Sequence, residues 1–144
     1  MSNTANATAL VGRILLAVLF LMSGVGKLGA PAGTQAYIAA AGLPAPLLAY
    51  LVAVVVEVGG GLLLIVGYQT RIVAVIMALF TLAAAFGFHN NFADQNQMIH
   101  FMKNLAITGG LLQVAAFGSG GFSLDAWRER SASAGSVRRN PARA

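Results

Sequence analysis

Long apolar runs separated by short polar segments dominate this chain, and each run is long enough to form a membrane-spanning helix. A helix needs about 20 apolar residues to cross a hydrocarbon core about 30 Å thick, because each residue adds about 1.5 Å. The runs predict four spanning helices, at about residues 9–29, 47–67, 72–88 and 98–118. We therefore expect an all-α fold, an integral membrane four-helix bundle that occupies residues 9–127.

The segments between the runs carry polar residues and helix breakers. Residues 1–8 are polar and uncharged, and we expect them to be a disordered N-terminus. Between the first two helices, residues 35–41 predict a short interfacial helix. Residues 68–71 predict a tight turn and residues 89–97 a polar loop. Residues 128–144 predict a basic cytoplasmic tail, disordered from about Ser131 onward because its composition is polar and of low complexity.

The first apolar run also has the appearance of a secretory signal peptide. Arg13, an apolar core and the segment Ala30-Pro31-Ala32 match the three parts of such a peptide. However, Arg13 is the one basic residue before the core, and the run ends in small residues followed by Lys27. We therefore interpret the run as a spanning helix and expect Arg13 and Lys27 to extend outward toward the two membrane surfaces.

Composition assigns the chain to integral membrane proteins. It is 58% hydrophobic and only 9% charged, with a mean hydropathy of +0.76, whereas soluble domains contain about 25% charged residues. Cysteine is absent, which excludes disulfides, thiol redox chemistry, iron–sulfur ligation and cysteine–zinc sites within this sequence.

The net charge of +5 reflects the topology and does not indicate nucleic-acid binding. Five of the nine basic residues follow Trp127, where we expect them to contact the anionic cytoplasmic leaflet. With four spans, Arg13, Arg71 and these five arginines share one side, and Lys27 and Lys103 lie on the other. The positive-inside rule then predicts that both termini are cytoplasmic, in a multi-pass protein of a bacterial inner membrane.

Glu57 is the most informative single residue, because it is the central residue of the second apolar run. An unpaired carboxylate near the bilayer midplane costs at least about 2.5 kcal/mol. Glu57 shares a helical stripe with small and apolar residues that are expected to face other helices, namely Ala53, Gly60, Gly61 and Leu64. We expect Lys103 to neutralise Glu57 directly or through a water, with Lys27 as the second candidate.

The outer half of the predicted bundle collects the candidate ligand-binding residues. These are Glu57, Lys103, Asn104, His89, Lys27, Ser23 and His100. The alternatives are that the acid and lysine form a structural pair, that Lys27 simply extends to the surface, and that both histidines are solvated. Haem ligation by the histidines is disfavoured because they flank one loop, and the sequence predicts no metal site and no complete catalytic arrangement.

Several short motifs occur in an order that resembles the DoxX family. They include Phe20-x-x-Ser23-Gly24-x-x-Lys27-Leu28, Glu57-x-Gly59-Gly60, Thr70-Arg71, Phe88-His89, Met102-Lys103-Asn104-Leu105-Ala106 and Phe122-Ser123-Leu124-Asp125. The resemblance covers about residues 12–127 and implies a small four-helix protein of the bacterial inner membrane. It also implies that Glu57, Lys27, His89, Lys103 and Asn104 occupy polar positions typical of the family, some members of which are linked to membrane redox and oxidative-stress complexes.

Three functions remain open from the sequence. The first is an accessory subunit of a membrane redox or oxidative-stress system. The outer polar pocket of this subunit would bind a quinone or a lipid headgroup. The subunit would have no intrinsic cofactor and would act within a quinone-linked oxidoreductase. The second is a small proton-coupled transporter. The third is a structural or assembly protein, which ranks equally with the first. The expected partners are the lipid bilayer, a redox partner protein and a second copy of the chain in a homo-oligomer, with no nucleic acid.

Overall fold

The computed structural model describes residues 2–139, which contain helices and no strand. The six helices are α1 (Asn3–Gly29), α2 (Pro31–Ala40), α3 (Pro46–Val66), α4 (Thr70–Phe88), α5 (Gln95–Phe117) and α6 (Leu124–Arg139). The all-α prediction is therefore confirmed, and α2 is a short helix at the position where the sequence predicted one.

Three helices, α1, α3 and α4, are long and apolar enough to cross a membrane. Their outward faces carry large apolar side chains that are 63–73% exposed, among them Leu15, Met22, Val55 and Leu79. So much exposed apolar surface is unfavourable in water and suits contact with lipid tails. The fourth predicted span, α5, is 23 residues long but is not among these three helices, and His100, Lys103 and Asn104 reduce its mean hydropathy.

The N-terminal segment differs from the expectation of disorder. Helix α1 begins at Asn3, where Ser2 Oγ accepts a hydrogen bond from Ala5 N at 3.2 Å and so caps the helix. Asn6 Oδ1 also accepts a hydrogen bond from Gly121 N at 2.8 Å. These contacts stabilise a helical turn in a segment whose polarity alone suggested none; Met1 lies outside the described residues.

The segment after α5 also differs, because α6 continues to Arg139 instead of becoming disordered at Ser131. The hydroxyl of Ser123 caps α6 by accepting a hydrogen bond from Ala126 N at 3.2 Å. The last five residues of the predicted tail, including Arg143, lie outside the described residues.

Helices α1 and α3 approach each other closely at two glycines. A Cβ atom placed on Gly24 of α1 would lie 2.6 Å from Val58 Cγ2 and 3.1 Å from Glu57 Cβ. A Cβ atom placed on Gly61 of α3 would lie 2.8 Å from Leu21 Cγ. The predicted small-residue stripe of α3 is buried, and its Gly61 lies against α1 because the absence of a side chain lets the two backbones meet.

The core lies where four helices converge. Ala17 of α1, Leu64 of α3, Met77 of α4 and Leu111 of α5 are all completely buried. The most extensive helix–helix contact is that between α4 and α5, whereas α1 and α5 touch over a short length. Helix α5 is therefore held mainly by α4, and the boundary between α1 and α5 is comparatively open.

Arg13 corrects a sequence-based expectation. The prediction that it extends outward is wrong, because its residue surface is only 1% exposed. Its Nη1 donates to Leu64 O at 2.8 Å and its Nη2 donates to Phe122 O at 2.7 Å. Leu64 lies in the last turn of α3, where carbonyl groups lack partners within the helix. Arg13 satisfies one of them and ties α1 to α3 and to the loop before α6.

Candidate functional site

Glu57 lies in an irregular part of α3. Residues Val55–Gly59 form a π-helical turn between two α-helical segments, and the Glu57 residue is only 5% exposed. A π turn inserts an extra residue into the helix, and such turns are frequent at functional sites. The irregularity marks the Glu57 region as a candidate site, which the side-chain contacts then define.

The Glu57 carboxylate is neutralised by Lys27. Lys27 Nζ lies 2.8 Å from both Oε1 and Oε2, and Ser23 Oγ donates to Oε1 at 3.2 Å. The same ammonium group donates to Ser23 Oγ at 2.8 Å. Ser23 and Lys27 are four residues apart on α1, so both side chains face α3 from the same side of that helix.

Two expectations for the lysines are therefore wrong. Lys103, which the sequence predicted as the first partner of Glu57, is exposed. Lys27, the second candidate, forms the ion pair. Lys27 turns inward, with 26% of its side chain exposed, instead of extending to the membrane surface. The reason is the contact at Gly24, which places Glu57 beside α1 less than one turn from Lys27. Among residues 2–134, whose side chains the structure describes, no other side-chain ion pair forms.

A cavity of about 90 Å³ adjoins the ion pair. Its polar lining comes from all four long helices of the core, with Ser23 from α1, Glu57 from α3, Thr81 from α4 and Asn104 from α5. The Thr81 hydroxyl donates to Met77 O at 2.7 Å, whereas the side-chain amide of Asn104 forms no hydrogen bond within the described part of the chain. The cavity is large enough for a few water molecules, at about 30 Å³ each, and smaller than the roughly 300 Å³ of a typical ligand pocket.

The two histidines form a separate cluster and do not line this cavity. The rings of His89 and His100 stack with centroids 5.0 Å apart, and His89 Nδ1 lies 3.0 Å from Gln97 Oε1. Phe101 nearby packs edge-to-face against Phe92 with centroids 5.0 Å apart. Of the seven candidates, Ser23, Lys27, Glu57 and Asn104 thus converge, His89 and His100 pair elsewhere, and Lys103 is exposed.

Asp125 has a structural role that the sequence did not reveal, although the residue ends the motif Phe122-Ser123-Leu124-Asp125. Its Oδ1 accepts a hydrogen bond from Gln69 N at 2.9 Å. Its Oδ2 accepts hydrogen bonds from Thr70 N at 2.9 Å and from Thr70 Oγ1 at 2.8 Å. Partial burial by itself would raise the pKa of Asp125, but these hydrogen bonds and the nearby Arg128 charge together lower it below the ordinary value. Asp125 therefore caps α4 from a distant part of the chain. The signal that could have revealed it is the lack of any capping side chain directly before Thr70.

Comparison with known proteins identifies relatives. The sequence model of the DoxX family matches residues 8–90. The chain is 43% identical over 125 residues to the inner membrane protein YqjF of Escherichia coli (strain K12), covering 87% of this chain and 95% of that protein. It is 37% identical over 121 residues to the inner membrane protein YphA of the same organism, covering 81% and 86%. No solved structure matches the chain.

Proposed function

The chain belongs to the DoxX family, and we propose that it is a multi-pass protein of the bacterial inner membrane whose Glu57 site binds the polar head of a lipid-soluble ligand, with a quinone as the candidate. The resemblance noted in the sequence motifs agrees with the family match. The names of both relatives and the exposed apolar faces of α1, α3 and α4 support the membrane assignment.

In this proposal α5 also crosses the membrane, which gives four spans with both termini in the cytoplasm. The excess of arginine at the end that contains Arg13 and Arg71 favours that orientation. The burial of Thr108 and Leu111 against the other helices supports a spanning α5, because it packs this helix into the same bundle as the three long apolar helices.

The observation that carries the ligand proposal is the unpartnered Asn104 amide beside a polar cavity. Lys27 already occupies both oxygens of Glu57, so the groups left for a ligand are Asn104 and the hydroxyl oxygens of Ser23 and Thr81. An amide N–H of Asn104 can donate to a quinone carbonyl. Only the edge of a headgroup fits the cavity, and the rest of the ligand would lie in the lipid beyond Leu19, an exposed residue of α1 that lines the cavity.

The redox role is the most specific part of the proposal. A partner protein would supply electrons, and this chain would bind and orient the quinone through the Asn104 amide, beside the network formed by Lys27, Ser23 and Glu57. A second copy of the chain could pair with the first through the exposed apolar faces. The transporter alternative is less favoured, because exchange at Glu57 would require Lys27 to leave both carboxylate oxygens.

The test is binding of a short-chain quinone analogue to the purified protein in lipid nanodiscs. We expect saturable binding that Asn104→Leu weakens by about tenfold, the effect of losing one hydrogen bond worth about 1.4 kcal/mol. Gln113→Leu is the matched control, because it makes the same amide-to-apolar change at an exposed position of the same helix. Equal affinity of the two variants, or no saturable binding by the wild type, would refute the ligand proposal.

A structural role is the second candidate, favoured by the two-oxygen contact between Lys27 and Glu57. In that case the ion pair sets the register of α1 against α3, and the cavity contains only water. The two candidates differ in one observable, since a purely structural site predicts no saturable quinone binding.

A further inference from the structure

A second and larger cleft lies at the opposite end of the molecule from the Lys27–Glu57 pair. It has a volume of about 980 Å³ and lies between the start of α4, the loop of residues 118–121 and the first turns of α6. Asn6 of α1 also lines it, so the cleft is at the end of the bundle where the chain begins. This end is the one that we propose to face the cytoplasm.

The cleft has an excess of positive charge. Arg71, Arg128 and Arg130 line it, together with the acids Asp125 and Glu129. Asp125 stays ionised while it accepts hydrogen bonds from Gln69 and Thr70, so three guanidinium groups face two carboxylates and the cleft has a net charge of +1. Guanidinium groups suit phosphate oxygens, because their planar N–H donors match that geometry.

The arginines are held near one another by different parts of the fold. The guanidinium of Arg71 lies beside Gly118, with Nε 3.3 Å from the position that a Cβ would take there. Arg130 Nη1 donates to Gly121 O at 3.3 Å. Arg128 lies over the Tyr68 ring at 5.3 Å from its centroid. Residues from α4 and α6 thus present their charges to a single cleft lined by the glycine-rich loop.

One edge of the cleft is apolar and faces outward. Ile72 of α4 is 60% exposed and Phe117 of α5 is 77% exposed, and both line the cleft. They lie at adjacent ends of two helices that pack along each other. A soluble anion would gain nothing from this edge, whereas an acyl chain would bury it.

From this combination we propose that the cleft is a binding site for an anionic glycerophospholipid. The phosphate group lies between Arg71 and Arg130, and an acyl chain extends along Ile72 and Phe117 into the bilayer. Basic pockets between helix ends at the cytoplasmic surface commonly bind such headgroups. The site is independent of the proposed quinone site and would remain if that proposal failed.

The test is native mass spectrometry of the delipidated full-length protein, titrated separately with phosphatidylglycerol, phosphatidylcholine and inorganic phosphate. We expect phosphatidylglycerol to bind at least tenfold more tightly than phosphatidylcholine. Inorganic phosphate should bind far more weakly than phosphatidylglycerol, because it lacks the acyl chain. Equal affinity for the two lipids, or tight binding of inorganic phosphate, would overturn the assignment.

Variants localise the effect to the cleft. We expect the double variant R71Q/R130Q to lose the preference for phosphatidylglycerol and E129Q to retain or increase it. K103Q, which removes one positive charge at an exposed position outside the cleft, should bind like the wild type. If the double variant fails to fold, R130Q alone gives the same test, because Arg130 is exposed and takes no part in the Asp125 cap. Unchanged lipid preference in R130Q and R71Q/R130Q would contradict the proposal.

Discussion

At the scale of single residues, the molecule satisfies two carboxylates in different ways. Glu57 is buried between helices and relies on an ammonium group, which supplies both charge and hydrogen bonds. Asp125 is partly exposed and relies on backbone N–H groups at the start of α4. The first arrangement makes two helices dependent on each other, and the second fixes the start of α4 to the first turn of α6.

The Glu57–Lys27 pair should show strong coupling in a double-mutant cycle. We expect Glu57→Gln and Lys27→Met each to lower the free energy of unfolding by about 3 kcal/mol, because each leaves one buried charged group without its partner. The double variant should lose less than the sum of the two changes. Reversible unfolding in mixed detergent micelles measures the free energy of unfolding of the wild type, the two single variants and the double variant. Additive effects of the two substitutions would show that the two side chains do not depend on each other.

Replacing Asp125 should weaken the cap of α4. We expect Asp125→Asn to lower the free energy of unfolding at pH 7 by about 1–2 kcal/mol, because an amide accepts fewer of the three hydrogen bonds. Asp94→Asn is the control, since Asp94 caps α5 by accepting Asn96 N and Gln97 N, and asparagine caps helices equally well.

The difference in the free energy of unfolding between the wild type and Asp125→Asn should depend on pH with a defined sign. The folded-state pKa of Asp125 lies below its ordinary value of 3.8. Its stabilising contribution is therefore fully present above pH 3.8 and is lost as the pH falls through the lower folded-state pKa. Unfolding of the wild type and of Asp125→Asn should become more alike at strongly acidic pH, and a gap that widens there would contradict the capping role.

At the scale of helices, close approach decides which groups meet. Gly24 and Gly61 let α1 and α3 touch through their backbones, and Gly60 of α3 allows the same approach to Met77 of α4. Gly67 has φ +71°, and any Cβ there would collide with the Arg13 guanidinium. The glycines of α3 therefore set the positions of its neighbours, and the polar contacts follow from those positions.

Gly24 should be far less tolerant of a side chain than its neighbour Gly26. A leucine at Gly24 would meet Val58 and Glu57, whereas nothing lies within 4 Å of a Cβ at Gly26. We expect Gly24→Leu to lower the free energy of unfolding by about 2 kcal/mol or more through overpacking. Gly26→Leu should be neutral or slightly stabilising because leucine favours a helix. Similar unfolding curves for the two variants would rule out a close α1–α3 contact at Gly24.

At the scale of the whole molecule, the two ends have different chemistry. One end contains the acid–lysine pair and the stacked histidines, and the other contains Arg13, Asp125 and the basic cleft. This asymmetry supports the proposed orientation, because the positive-inside rule places an arginine-rich end in the cytoplasm.

Single cysteines provide a direct test of that orientation, since the natural sequence contains none. We expect Asn91→Cys, in the exposed loop before α5, to react with a membrane-impermeant maleimide in intact spheroplasts. Ser131→Cys on α6 should react only after the membrane is permeabilised. Labelling of both from the same side would show that α5 does not cross the membrane, and reversed labelling would invert the topology.

Local properties of the sequence were sufficient to predict the four long helices and the buried face of α3. Apolar length and helical spacing predicted α1, α3, α4 and α5, and the stripe through Ala53, Glu57, Gly60 and Leu64 is buried as expected. Membrane character and family followed from composition and motif order. These features depend on residues that are close together in the chain, so a pattern along the sequence is enough to predict them.

The tertiary structure alone decided which distant groups meet. Glu57 pairs with Lys27 instead of Lys103, Arg13 is buried against Leu64 and Phe122, and Asp125 caps α4. Each contact depends on where two segments cross and how closely their backbones approach. That geometry is the sum of many packing contacts across the whole molecule, which spacing within one helix does not specify.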